Sequence, residues 1–539
     1  MPVKLLSTMV PPSLEALEAI LLQNRGLTDG ADFFQPPHPS QLPQSLTGIT
    51  PNKLKPILDR LRQARDNHEE VVIFGDYDAD GVCATAILWE ALFSIGIRAL
   101  PFIPDRFNHG YGLTVAALDD LTKKSKPDVI ITVDNGIVAY EALEAAHAQG
   151  IFTIVTDHHQ TDTKTLPADL ILHSTKLSGS GIAWMLAHAL VPETAATSLE
   201  LAGLATIADQ VPLLGANRSV AFHGLKALQN TKRVGLKELF AVAGVEQNSI
   251  TEKTVGFSIA PRINAMGRIA SAMDALRLLC TTSQVRAQHL AQLLQDKNVE
   301  RQQLTLESVN LAKAQAEEQK NQPLLVIHST TYHEGVIGLI AGRLVEEYKK
   351  PAIVIAVGES TGKGSARSTP QVNIVELLRS VREHLLELGG HPMAAGFSIS
   401  QDKLIAFTQA AQKKTTQLLK NEPEEAEIEA ECLLPTTLVN LESALYLEKY
   451  APFGMGNPLP SFQIDGVTCL SSQLVGKQGN HRKYTFQLGN QIINGMSWYN
   501  AHAQAKPMDE NLTIIASLTV ERWRSTSLLL SVQSIQKRK

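Results

Sequence analysis

Three apolar runs, EVVIFGD (70–76), PDVIITVD (127–134) and IFTIVTD (151–157), each end on an aspartate. Short runs rich in β-branched residues and bounded by turn formers read as buried strands. Between and around them lie GVCATAILWEALFSIG, TVAALDDLTK and AYEALEAAHAQG, which read as helices, and IRALPFIP, which reads as a further strand. Strands alternating with helices dictate an α/β fold with a doubly wound, mostly parallel sheet. In such a sheet ligands collect outside the carboxyl ends of the strands, where these aspartates fall.

The chain has 539 residues, enough for three or four domains. Residues 1–50 read as a leader with a short helix and the Pro-rich QPPHPSQLPQS, and residues 51–215 as the first α/β domain. Residues 216–320 read as a helical connector, ending in a long polar run from Val285. A second α/β domain spans 321–420, and 421–539 reads as an acidic linker followed by a small β-barrel.

Net charge is -5, which excludes a uniformly basic nucleic-acid binder, but the average hides a contrast. Residues 421–450 carry eight Glu against one Lys. Residues 471–539 carry nine Lys and Arg against three Asp and Glu, together with Tyr484, Phe486, Trp498, Tyr499 and Trp523. Aromatics in a positive groove are how single strands are held, so the barrel is expected to bind nucleic acid. The four cysteines, Cys83, Cys280, Cys432 and Cys469, are scattered without a CxxC. That supports neither a disulfide framework nor a zinc ribbon and suits a reducing cytoplasm. No apolar run reaches the ~18 residues of a membrane span, and no signal peptide is read at the start.

The segment DYDADG places Asp76, Asp78 and Asp80 within five residues. Such neighbours repel and raise one another's pKa, so something positive is expected among them. An EF-hand is excluded: its twelfth position requires Glu and is Ile87 here, and a strand-like VVIF precedes the loop. An aspartate at a strand end is ordinarily a cap or turn former, and a His-His pair is as readily a surface feature. Taken together, the DYDADG aspartates, Asp134, the DHH run at 157–159 and Asp209 of LATIADQVPL point to a metal site. Carboxylates with one or two imidazoles suit Mn or Mg, and two such ions can act on a phosphoryl group. A second motif, GKGSARS (362–368), reads as a Gly-rich turn able to approach phosphate; it is not a Walker loop, because Gly364 follows Lys363.

DYDADG, VDNG, DHH and IADQVPL resemble the four motifs of the DHH phosphoesterases. HEGVIGLIAGRL, GKGSARS and GGHPMAAGF resemble those of the family's DHHA1 partner domain. With PDRFNHGYGL, APRINAMGR and PFGMGNPLPSF in the same order, the resemblance is to members with a C-terminal OB-fold that degrade single-stranded DNA from the 5′ end. It runs from about residue 50 to the end. It implies two Mn or Mg ions on Asp78, Asp80, Asp134, His158 and Asp209, with Asp134 bridging. Asp76 would orient the loop or bind metal more weakly, and His159 would stand beside the reacting phosphate as a proton donor or electrostatic aid. Where some relatives carry a further His, this chain has Phe74. Ser365, Arg367 and Arg106 would take a 5′-phosphate, Arg262 and Arg268 backbone phosphates, and His333 and His391 would approach from the second domain. The implied function is release of 5′-mononucleotides in DNA repair and recombination, by a cytoplasmic monomer with a helicase and a single-strand-binding protein as partners. The competing readings are a phosphodiesterase for short oligoribonucleotides or cyclic dinucleotides, and an inactive scaffold.

Overall fold

The computed structural model describes residues 3–110, 112–419, 427–476, 479–498, 509–522 and 525–537. They form two compact units: residues 39–211 and 215–423 make one, and residues 1–38, 212–214 and 424–539 make the other.

Strand β1 (Val3–Leu5) opens the chain, and its partner comes near the far end. The larger unit begins with a parallel sheet of β2 (Val71–Phe74), β3 (Ala99–Phe102), β4 (Val129–Val133), β5 (Phe152–Asp157) and β6 (Leu170–His173), ordered β3-β2-β4-β5-β6. The chain first steps from β2 to β3 and then back across β2 to β4. The order therefore reverses at the β2–β4 boundary, and a crevice opens at the carboxyl ends of those two strands. Strands β2 and β4 are buried along their whole length, as a sheet covered on both faces requires.

Helices lead from this sheet through Gln284–Glu318 to a second sheet. It contains β7 (Leu325–Ser329), β8 (Ala352–Val357), β9 (Thr361–Arg367), β10 (Leu385–His391) and β11 (Ala394–Ser400), ordered β10-β11-β9-β8-β7. Only β7 and β8 run parallel; the other pairings are antiparallel. Alternation along β8 splits the core between the two faces: Ile353 and Ile355 pack on one side, Ala352, Val354 and Ala356 on the other.

GKGSAR lies in β9, paired on both sides by β8 and β11, and is not a turn. Its backbone is committed to the sheet. A Cβ on Gly364 would meet the Phe397 ring at 2.2 Å, so that glycine makes room for an aromatic ring.

In the smaller unit β12 (Ile428–Ala430) pairs in parallel with β1. Strands β13 (Phe462–Val475), β14 (His481–Leu488), β15 (Gln491–Ser497), β16 (Asp509–Arg522) and β17 (Thr526–Lys537) close into a barrel ordered β13-β14-β15-β17-β16. Leu17, Ile20 and Leu21 of the Leu14–Asn24 helix, with Phe33, belong to the same core as Phe462, Ile464 and Leu518. The buried Arg25–Glu431 ion pair (3.0 Å) ties them further. Residues 1–38 are thus part of the barrel unit and not a separate leader.

Two of the aromatics assigned to strand gripping are core residues. Tyr484 and Phe486 are fully buried and stack on each other at 5.1 Å. Trp498 is 52% exposed beside His481. Tyr499, Trp523 and residues 421–426 of the acidic stretch lie outside the described residues; the rest of that stretch is no linker, since Ile428–Ala430 and the Leu441–Leu447 helix belong to the barrel unit.

Candidate active site

The DYDADG loop turns directly from β2 into the Ala79–Ser94 helix. Asp78 is the N-cap: its Oδ1 accepts from Asp80 N (2.9 Å) and Gly81 N (3.1 Å). A Cβ on Gly81 would sit 2.5 Å from Asp76 N, so the loop closes this tightly only with glycine there. Asp80 points toward a second helix, Gly179–Leu190. Its Oδ2 accepts from Gly179 N (2.7 Å) and its Oδ1 from Ser180 N (2.9 Å). A helix N-terminus offers unpaired N–H groups and partial positive charge, which fixes this carboxylate.

Asp134 ends β4 in the left-handed region (φ 64), which turns the chain sharply over the sheet edge. Asp209 terminates the Leu199–Ala208 helix, the end where the helix dipole disfavours an anion. His158 follows β5. Its Nε2 lies 3.1 Å from Asp134 Oδ1, 3.6 Å from Asp209 Oδ2 and 4.0 Å from Asp80 Oδ2. All these side chains meet at the carboxyl edge of the sheet.

The electrostatics of this cluster are incomplete without a cation. Burial, with Asp80 and Asp78 adding like charge, lifts Asp134 well above the usual carboxylate range. Burial and Asp78 do the same to Asp76. Burial and the neighbouring aspartates push Asp209 up to about 9. Asp134 Oδ1, His158 Nε2 and Asp209 Oδ2 are all buried without a hydrogen-bond partner. Buried polar atoms left unpaired are costly, and three converging on one point fit a metal ion. Burial also lowers the His158 pKa, favouring the neutral imidazole that a ligand must present. Ligand-capable atoms group as Asp80–His158–Asp209, Asp134–His158–His159 and Asp76–Asp78–Asp134. Asp134 belongs to two of these groups, so its carboxylate could be shared if two ions were bound.

His159 is held differently. Its Nδ1 donates to Asp157 Oδ1 (2.7 Å), and Asp157 Oδ2 accepts from Ile137 N (2.9 Å). Burial opposes the charged imidazole, but the Asp157 carboxylate prevails and raises the His159 pKa. Asp157 therefore orients His159 instead of joining the carboxylate cluster. The ring of His391, at the end of β10, stacks on His159 at 6.2 Å and 12°.

A second cluster is positive. Arg268 is pushed down to about 10 by burial and by the neighbouring Arg106, Arg301 and Arg367 guanidinium groups. None of the four has a carboxylate ion-pair partner among the described residues. Arg301 Nε is buried without any hydrogen-bond partner. Arg367 Nη1 donates to Ser365 Oγ (3.2 Å) and Ala366 O (2.9 Å), and Arg106 lies over the Tyr77 ring. The N-terminus of the Ile337–Tyr348 helix faces this group: a Cβ on Gly338 would lie 3.1 Å from both Arg367 Nη2 and Ser365 Oγ. That helix has no side-chain cap. Uncompensated guanidinium groups at an uncapped helix N-terminus make an anion site. Here the uncapped helix start, and not the glycines of GKGSARS, presents unpaired backbone N–H groups beside Arg367 and Ser365.

The remaining predicted residues are placed as follows. His333 accepts from Gly335 N through Nδ1 (3.0 Å) and meets Phe107 edge to face. Arg262 is turned toward the long helix, donating to Gln295 Oε1 (2.8 Å) and to Ser258 O, apart from the arginine cluster. Lys363 and Ser368 are engaged within the second sheet, with Ser398 and Val372 O. Sequence reasoning missed Arg301, Gly179 and Ser180. Arg301 lies in a polar helix read as a connector, and the other two carry no distinctive chemistry.

The DHH family, N-terminal domain, matches residues 70–208, the DHHA1 domain residues 321–417 and the RecJ OB domain residues 430–533. Fold and site together define a DHH-family protein with its DHHA1 partner domain. The chain is 32% identical over 490 residues to the single-stranded-DNA-specific exonuclease RecJ of Thermus thermophilus, covering 89% of this chain and 70% of that protein. It is 32% identical over 511 residues to the Bacillus subtilis protein of the same name, covering 92% of this chain; it spans only 63% of that relative's length. The crystal structure of RecJ in complex with Mn2+ from Thermus thermophilus superposes with a TM-score of 0.82 at 27% identity, over 99% of this chain and 79% of the other. The chain belongs to the RecJ family.

Proposed function

We propose that this protein is a metal-dependent exonuclease that hydrolyses single-stranded DNA from the 5′ end, releasing 5′-mononucleotides. The observation that carries the reading is the pairing of two complementary clusters in one unit. Carboxylate and imidazole atoms short of a cation lie near guanidinium groups short of an anion, with Arg106 over Tyr77 of the metal loop itself.

Asp78, Asp80, Asp134, His158 and Asp209 would hold two Mn or Mg ions, with Asp134 shared and Asp76 shaping the loop. Ions bound there would activate a water and offset charge on the phosphoryl oxygens. Arg367, Ser365, Arg106, Arg268 and the helix N-terminus at Gly338 receive the terminal 5′-phosphate. Holding that end positions the first phosphodiester over the carboxylates. His159, whose pKa Asp157 raises, would face the reacting phosphate and supply a proton or positive charge as the 3′-oxygen leaves. His391 and His333 reach the strand from the second sheet. The barrel grips the strand through its basic surface and Trp498. This reading implies a soluble cytoplasmic monomer acting in DNA repair and recombination, with a helicase and a single-strand-binding protein supplying the strand. Among the described residues no helix is long and apolar enough to cross a membrane.

The test is a time course on 5′-phosphorylated single-stranded DNA labelled at either end, with Mn2+ or with chelator. Immediate mononucleotide release from the 5′ label, late loss of the 3′ label and no reaction in chelator are expected. Intact DNA in Mn2+ would overturn the reading in favour of short oligoribonucleotides, cyclic dinucleotides or a scaffold.

A further inference from the structure

The Ala260–Ile269 helix borders both clusters. Asn264 Oδ1 accepts from Ala79 N (2.7 Å) in the metal loop. A Cβ on Gly267 would meet Tyr77 O at 2.2 Å, and Arg268 belongs to the arginine cluster. The helix is continuous with a wider, π-type turn at Val255–Ile259; such turns concentrate at functional sites.

Phe257, Pro261, Asn264 and Arg268 recur at 4-3-4 spacing and so share one face, while Val255, Ile259, Ile263 and Met266 form the buried face. Pro261, Asn264 and Arg268 are half-buried, whereas Phe257 is 79% exposed. Its ring makes no aromatic or cation contact among the described residues. A phenyl ring so placed is exposed at a cost, on the same stripe as two residues of the site. Along the stripe, Arg268 stands at the clamp for the strand end and Asn264 at the metal loop. Phe257 lies about 10 Å beyond Asn264, at ~1.5 Å per residue. A strand held at Arg268 and cut beside Asn264 runs on toward Phe257.

We propose that Phe257 is a stacking platform for an unpaired base on the 3′ side of the scissile phosphate, with Pro261 extending its apolar surface. This rests on the exonuclease reading and adds a subsite to it. Stacking is indifferent to base identity, because every base has a π face, so the platform would hold any sequence.

The experiment compares the wild type with Phe257→Ala and Phe257→Trp on 5′-phosphorylated single strands. One strand set is normal; in the others a single abasic position is moved stepwise from the 5′ end. Phe257→Ala is expected to raise KM on normal DNA by about five- to a hundred-fold, with kcat changed far less. Phe257→Trp should restore KM. In the wild type one abasic position should raise KM comparably, and that loss should not multiply with Phe257→Ala. Wild-type KM in Phe257→Ala, or losses that multiply at every abasic position, would overturn the platform while leaving the exonuclease reading intact. A wild type inactive on every strand would overturn both.

Discussion

Gly179→Ala tests the metal centre through a residue that bears no ligand atom. A Cβ at this position would lie 2.3 Å from Asp134 Oδ1, 2.5 Å from its Cβ and 2.6 Å from its Cγ, where ordinary contact begins at 3.4 Å. The carboxylate must retreat by about 1 Å, roughly five times the ~0.2 Å tolerance of a metal–ligand distance. Misplacement by about 1 Å costs on the order of 100-fold in a positioned reaction. Mn2+ affinity and kcat/KM are therefore each expected to fall by about that factor. Gly179 has no positive φ, so alanine brings no backbone strain there. Helix propensity returns up to about 1 kcal/mol against about 1–3 kcal/mol of overpacking. The protein should remain folded in chelator. Gly181→Ala is the control, because the atoms nearest its new methyl are in the Leu177 and Ser178 side chains, at 3.2 to 3.3 Å. Binding would be followed by the paramagnetic resonance of free Mn2+, and folding by circular dichroism. A folded Gly179→Ala protein that binds Mn2+ as tightly as the wild type would refute the geometry.

Other outcomes follow from the same clusters. Buried acids with raised pKa values bind more protons folded than unfolded. Their contribution to stability is complete below the unfolded pKa and is lost as pH rises through the folded one. Burial and like charge raise Asp76 and Asp134 and push Asp209 up to about 9. In chelator the melting temperature should fall steadily from about pH 4 toward pH 9, and saturating Mn2+ should flatten that slope; a flat profile in chelator would contradict it. Arg367→Ala should reduce the preference for a 5′-phosphate over a 5′-hydroxyl end by about ten- to a hundred-fold, the worth of a charge-assisted hydrogen bond. Equal loss on both ends would mean that the clamp lies elsewhere.

The acidic and imidazole cluster proposed to hold metal was legible because most of its residues follow apolar strands, and strand ends of a doubly wound sheet share an edge. Asp76 and Asp134 could be placed together before any coordinates. Asp157 stood in the same pattern, yet its oxygens are taken by His159 Nδ1 and the Ile137 N–H, hydrogen bonds that no strand-end pattern reveals. The arginine cluster proposed as the phosphate clamp was half legible. Ser365 and Arg367 were marked, but the surrounding segment is a central strand, since its glycines accommodate Phe397 and do not turn the chain. The uncapped N–H groups beside it belong to the helix beginning at Ile337, and Arg301 comes from a polar run with no local signal. Tyr484 and Phe486 show that an aromatic in a basic barrel can serve the core as readily as a ligand. The place of residues 1–38 could not be read locally, because Lys4 pairs with Glu429, 425 positions away.

That pairing sets an order of assembly. At roughly 5–20 residues per second of synthesis, β1 and the Leu14–Asn24 helix would emerge on the order of 20–90 s before β12 and the barrel strands. The larger unit can collect all its strands within that interval, while Leu17, Leu21 and Phe33 wait with apolar surface uncovered. A segment made that much earlier would thus be among the last to be buried, and a barrel expressed from residue 424 onward would lack part of its own core.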